Sequence, residues 1–201
     1  MESKICRAIG YVFHPIFIPF LGTILISFFT PNFTIFYQAL VWNLIYTNFL
    51  ITVFFPLLII YQLYRLKFIK QLDPDTSKER IPHLIVATFF YFITYLYLSR
   101  MNGAFQPMDK WMLACSLSTI ALTIISYFWK VSLHANGVGG LLFLVLFFHF
   151  RYRLDVVFLL ALIIIISGAV AYSRLFSGDH NPPQIIAGFF LGIISVIVLW
   201  I

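Results

Sequence analysis

The chain has 201 residues, of which 62% are hydrophobic and only 10% are charged, and its mean hydropathy is +0.97. A soluble domain carries about 45–50% apolar and about 25% charged residues. This composition therefore excludes a soluble globular domain, a disordered chain, a disulfide-stapled secreted module and a soluble nucleic-acid binder. The net charge of +6 points to loops that meet anionic headgroups or phosphate, not to a DNA-binding face.

The N-terminal MESKICRAIG carries charge ahead of an apolar stretch, but no A-x-A-like site follows, so it reads as the start of the first membrane helix. Crossing the hydrocarbon takes about 20 apolar residues. Spans are predicted over 11–29, 40–64, 82–99, 111–129, 135–150, 155–172 and 183–201. The fifth and sixth are short, with Arg151, Arg153 and Asp155 marking a tight polar turn between them. No residue-by-residue alternation suggests a barrel, and lipid demands that each spanning backbone satisfy its own hydrogen bonds. The expected fold is all-α: one integral-membrane domain over 1–201, a polytopic bundle of six to seven transmembrane helices. Cys6 and Cys115 lie far apart in apolar context and read as small core residues, with no second pair to build a zinc site.

Polar residues gather in three places: RLKFIKQLDPDTSKERIPH over 65–83, KVSLHANGVGG over 130–140, and SRLFSGDHNPPQ over 173–184. Two predicted spans separate each cluster from the next. An even number of crossings returns the chain to the same side, so all three loops and the N-terminus, with His14-Pro15, are expected on one membrane face. That face holds nine of the thirteen basic residues, and the positive-inside rule would put it in the cytoplasm. Setting aside Lys78, Arg80, Lys130 and Arg174, which chemistry could explain, leaves five against four, and the leaflet stays undetermined.

The third cluster is the most specific. Asn181 suits a helix N-cap, and Pro182 and Pro183 suit the first turn after it. His180 then stands at the positive end of the last helix, a natural place for phosphate. Gly188 and Gly192 give that helix a face that allows close packing. In the second cluster Ser132 and His134 precede a glycine-rich helix start, with Lys130 just upstream, and together they suit an anionic oxygen. Most of the first cluster reads as a solvated charged loop. Arg80 is the exception, because it sits where the third span begins.

Taken in order, these residues resemble the phosphatidic acid phosphatase type 2 (PAP2, haloperoxidase-like) superfamily. Its signature runs Lys-x6-Arg-Pro, then Pro-Ser-Gly-His, then Ser-Arg-x5-His-x3-Asp. The third part matches at Ser173, Arg174 and His180, and the second at Ser132 and His134. In the first, Arg80 and Pro82 are present with one residue between them, and Asp73 stands where the lysine belongs. The resemblance spans residues 73–192 and looks like divergent bacterial members of the superfamily.

It implies a phosphomonoesterase of the acid-phosphatase type, without metal or cofactor, acting on a lipid or polyprenyl phosphate. It also implies a place in a bacterial inner membrane, with membrane lipids rather than nucleic acid as partners; it leaves the oligomeric state open. By resemblance, His180 attacks phosphorus and forms a phosphohistidine, and His134 protonates the leaving oxygen. Gln184 takes the place of the orienting Asp. Arg80, Lys130, Ser132, Ser173 and Arg174 bind the phosphoryl oxygens. His14, Lys78, Asp73 and Asp179 are accessory candidates, Asp179 as a stand-in for the carboxylate that Gln184 replaces. Because Gln184 and Asp73 depart from the signature, a second reading stays open. It is a catalytically lapsed relative that binds or moves an anionic lipid, or serves as a membrane-complex subunit.

Overall fold

The computed structural model of the protein describes residues 2–30, 38–74, 76–101 and 106–197. The end of the predicted seventh span, 198–201, lies outside them. Among the described residues there are helices and turns but no strand. Six helical stretches are long and apolar enough to cross a membrane: Lys4–Phe29, Val41–Arg65, Ile81–Ser99, Met108–Ser126, Leu133–Tyr152 and Val157–Phe176. A seventh apolar helix, Pro182–Val196, is shorter. The protein is thus an integral-membrane helical bundle.

The chain divides into two compact units, Met1–Ile18 with Val131–Ile201, and Pro19–Lys130. The first unit begins with α1 (Glu2–Val12). His14 and Pro15 interrupt the first span there. Pro15 has no N–H and opens a 3₁₀ turn over Pro15–Phe17, which the His14 side chain caps. The unit resumes at α7 (Leu133–Tyr152), α8 (Val157–Phe176) and α9 (Pro182–Val196). α7 packs on α8 and α9, and α1 packs on α8.

The fifth and sixth spans are longer than the polar residues between them suggest. Arg151 belongs to the last turn of α7, where a cation suits the negative end of the helix. The connection is short because Arg153 adopts a left-handed conformation (φ 55°) and His149 Nδ1 lies 3.0 Å from the Leu154 carbonyl.

α7 and α9 approach so closely that their glycines face backbone. A Cβ on Gly192 would meet the Asn136 carbonyl, one on Gly188 the Ser132 carbonyl, and one on Gly139 the Phe189 carbonyl. Asn136 Nδ2 also donates to the Gly188 carbonyl at 3.4 Å. Side chains at these three positions would wedge the helices apart.

The second unit holds α2 (Ile18–Phe29), α3 (Gln38–Phe49), α4 (Phe55–Arg65), α5 (Ile81–Ser99) and α6 (Met108–Ser126). α3 and α4 form one span through a π-helical turn, Leu50–Phe54. Pro56 follows directly, and its missing N–H and its ring disturb the regular ladder at that point. α5 and α6 are joined by a 2.8 Å hydrogen bond between the Thr88 and Thr119 hydroxyls. The indole of Trp111 donates to the Pro19 carbonyl at 2.9 Å.

Candidate active site

The first unit brings together most of the residues of the two C-terminal motifs. Ser132 is the N-cap of α7, and its Oγ accepts from the Ala135 amide at 3.3 Å. His134 therefore sits in the first turn of that helix. Its Nε2 lies 3.1 Å from the Gly10 carbonyl. The His14 ring stands edge to face against the His134 ring, with centroids 5.7 Å apart. Arg174, His14 and His180 all lie close enough for their charges to act on His134.

α9 begins with a full capping box. Asn181 Oδ1 accepts from the Gln184 amide at 3.1 Å, and Gln184 Oε1 accepts from the Asn181 amide at 3.2 Å. The same Oε1 lies 3.1 Å from His180 Nδ1. One oxygen thus caps the helix and fixes the histidine ring. A glutamine reaches back over three residues, as capping boxes require of Glu or Gln. The sequence signals this cap through Asn181 and Gln184, but not that the cap and the histidine share an acceptor. A backbone bond from the Ser132 amide to the Gln184 carbonyl, 3.1 Å, ties the two motif loops directly.

Arg174 closes the arrangement. Its guanidinium pairs with Asp179 at 3.1 Å and donates to Ser173 Oγ at 3.1 Å. Ser173 is fully buried and donates to the Cys6 carbonyl at 2.8 Å. Gly10 gives the guanidinium room, since a Cβ there would collide with it. Arg174 Nε is buried and has no hydrogen-bond partner. A buried donor without an acceptor is costly, and here it belongs to a cation whose charge acts on His134.

Asp179 is paired with Arg174, and Gln184 Oε1 lies 3.1 Å from His180 Nδ1. The hydroxyls of Ser132 and Ser173 are fully buried and engaged in a helix cap and an interhelical bond. The contribution of α1 was missed, because Cys6 and Gly10 act through backbone carbonyls, which leave no trace in residue type.

Asp73, Lys78, Arg80 and Lys130 belong to the second unit. Asp73 and Lys78 are exposed, and Lys130 is half-buried. Arg80 is only 4% exposed at the start of α5, and burial pushes its guanidinium below its ordinary value. Beside it, Glu79 is held below the usual carboxylate range by hydrogen bonds from the Thr76 amide, the Gln71 side chain and the Thr76 hydroxyl. That network orders the loop leading into α5.

Residues 127–201 match the sequence model of the PAP2 superfamily. Neither a curated protein nor a solved structure matches the chain significantly. The matched stretch holds Ser132, His134, Ser173, Arg174 and His180 in signature order, and this C-terminal part of the chain is similar to the PAP2 superfamily.

Proposed function

We propose that the protein is a membrane phosphatase that hydrolyses a lipid or polyprenyl phosphate through a phosphohistidine on His180. The superfamily includes phosphatases. The observation that carries the reading is the position of Arg174. It is a largely buried cation with an unmet Nε donor, in the same unit as two histidines whose charges bear on one another.

The chemistry follows from the contacts. Gln184 Oε1 accepts the hydrogen on His180 Nδ1, which puts the ring lone pair on Nε2, the nitrogen that attacks phosphorus. Arg174 neutralises the phosphoryl oxygens through its planar donor fork. His134 gives a proton to the leaving oxygen as the P–O bond breaks. It then takes one from the water that displaces His180 from phosphorus. Most of the stabilisation comes from fixed positive charge around the transferring group. A bilayer-edge site lets the headgroup reach these side chains while the tails stay in lipid.

Asp179 pairs with one end of the Arg174 guanidinium at 3.1 Å and so competes with a phosphate for that cation. The variant Asp179→Asn is expected to lower KM about two- to fivefold with kcat unchanged, as fits an ion pair whose carboxylate is exposed and which is worth roughly 1 kcal/mol. A raised KM would show instead that Asp179 helps to hold Arg174 in place.

Gln184 offers a second test. Glu can keep the capping box and adds a negative charge beside His180. Gln184→Glu is expected to raise kcat about tenfold, in the direction known for carboxylate against amide beside a catalytic histidine. Gln184→Ala removes the cap, at about 1 kcal/mol of stability, and lowers kcat. Equal turnover in all three forms would mean that the ring needs no partner.

The direct assay is phosphate release in detergent, with chelator present, from phosphatidic acid, phosphatidylglycerol phosphate and undecaprenyl pyrophosphate. Release from at least one of them is expected. Tight headgroup binding with no release from any would favour the lapsed relative, in which neutral Gln184 has replaced the catalytic carboxylate.

A further inference from the structure

The N-terminal segment lies outside residues 127–201, yet it supports the motif side chains at several points. α1 ends at Val12, and the His14 amide bonds to the Tyr11 carbonyl. The Gly10 carbonyl is thus one of the last-turn acceptors that the helix leaves for other donors. His134 Nε2 meets it at 3.1 Å. The acceptor also lies at the negative end of the helix dipole, which favours a polarised N–H. Across the same imidazole stands the His14 ring, at an interplanar angle of 86°. His14 is itself held by the Ile16 amide, which donates to its Nδ1 at 3.4 Å. Two restraints therefore act on His134, one in the plane of the ring and one across it. Both come from residues 10–14.

We propose that the end of α1, through the Gly10 carbonyl and the His14 ring, positions His134 so that Nδ1 is its proton-transfer atom. The role given to His134 rests on the phosphatase reading above. Its Nε2 keeps the hydrogen that Gly10 accepts. Nδ1 gives its proton to the leaving oxygen as the P–O bond breaks and the bond from His180 to phosphorus forms. It recovers a proton from water as the water oxygen bonds to phosphorus and His180 departs. Gly10 and His14 are positioning residues in this scheme, since both act through His134.

Two measurements test the proposal. Nitrogen-15 spectra of histidine-labelled protein, recorded where the ring is neutral and assigned with His134→Gln, are expected to place the His134 hydrogen on Nε2. A hydrogen on Nδ1 overturns the proposal, whether or not the protein turns over any substrate. The variant His14→Asn keeps an acceptor suited to the cap but removes the ring. It is expected to lower kcat about three- to tenfold, the scale of one aromatic pair, with KM and orthovanadate inhibition changed less than about twofold. An unchanged kcat overturns the proposal. So does a loss of orthovanadate binding in step with kcat, which would mark His14 as part of general folding or phosphate binding. Absence of turnover in the unaltered protein sinks the phosphatase reading instead, and the nitrogen spectra still decide the His134 geometry.

Discussion

Replacing His180 with alanine is expected to lower kcat by about 10⁴-fold or more while leaving the protein folded. Loss of a covalent nucleophile removes the reaction path itself, and such losses approach the whole of the chemical acceleration. His180 is half-buried and precedes the Asn181 cap, outside the helix itself. The capping box depends on Asn181 and Gln184 alone, and both remain in the variant. Thermal stability in detergent should therefore stay near that of the parent. The comparison to make is phosphate release by purified parent and variant at saturating substrate. Full activity in the variant would remove His180 from the chemistry.

The variant Gly192→Val is expected to damage stability and activity together. A Cβ at this position would run into the Asn136 carbonyl and come within 2.9 Å of the Gly140 amide nitrogen. Both obstacles are backbone, so no side chain can rotate away. Overpacking of this kind costs about 1–3 kcal/mol, which for a chain of this size corresponds to a fall of roughly 2–12 °C in Tm. Relief requires α7 and α9 to separate. α7 carries His134, His180 directly precedes the Asn181 cap of α9, and the Ser132–Gln184 backbone bond joins the starts of the two helices. A separation of even 1 Å is enough to cost about 10² in rate. Gly168 is the control, because nothing lies within 4 Å of a Cβ built there. Gly168→Ala should match the parent in both Tm and turnover. A stable and active Gly192→Val would mean that the two helices have slack the glycines do not reveal.

Much of this architecture is written in the sequence. The spans follow from hydropathy, and the start of α9 follows from Asn181 before Pro182 and Pro183. His134, Arg174 and His180 stand out because ionisable side chains are expensive in lipid and rarely placed without purpose. Other features depend on contacts that no local pattern encodes. Ser173 and Cys6 are 167 positions apart, and the acceptor is a carbonyl that any residue would provide. Gly10 looks like an ordinary helical glycine until the Arg174 guanidinium is placed against it. Gln184 reads as a lost carboxylate by comparison with the signature, yet its length lets a single oxygen serve both the cap and the His180 ring. Asp179 lies next to His180 in sequence, and the turn after α8 brings it to Arg174, a pairing that neither residue type announces.

In the proposed mechanism His180 carries the phosphoryl group between attack and hydrolysis. Rapid quenching of the protein during turnover of a phosphorus-32-labelled lipid phosphate traps that species. An acid-labile, alkali-stable label is expected on the peptide that contains His180 and is expected to be absent in His180→Ala. Steady turnover with no such label, or a label carried by another residue, would contradict that mechanism.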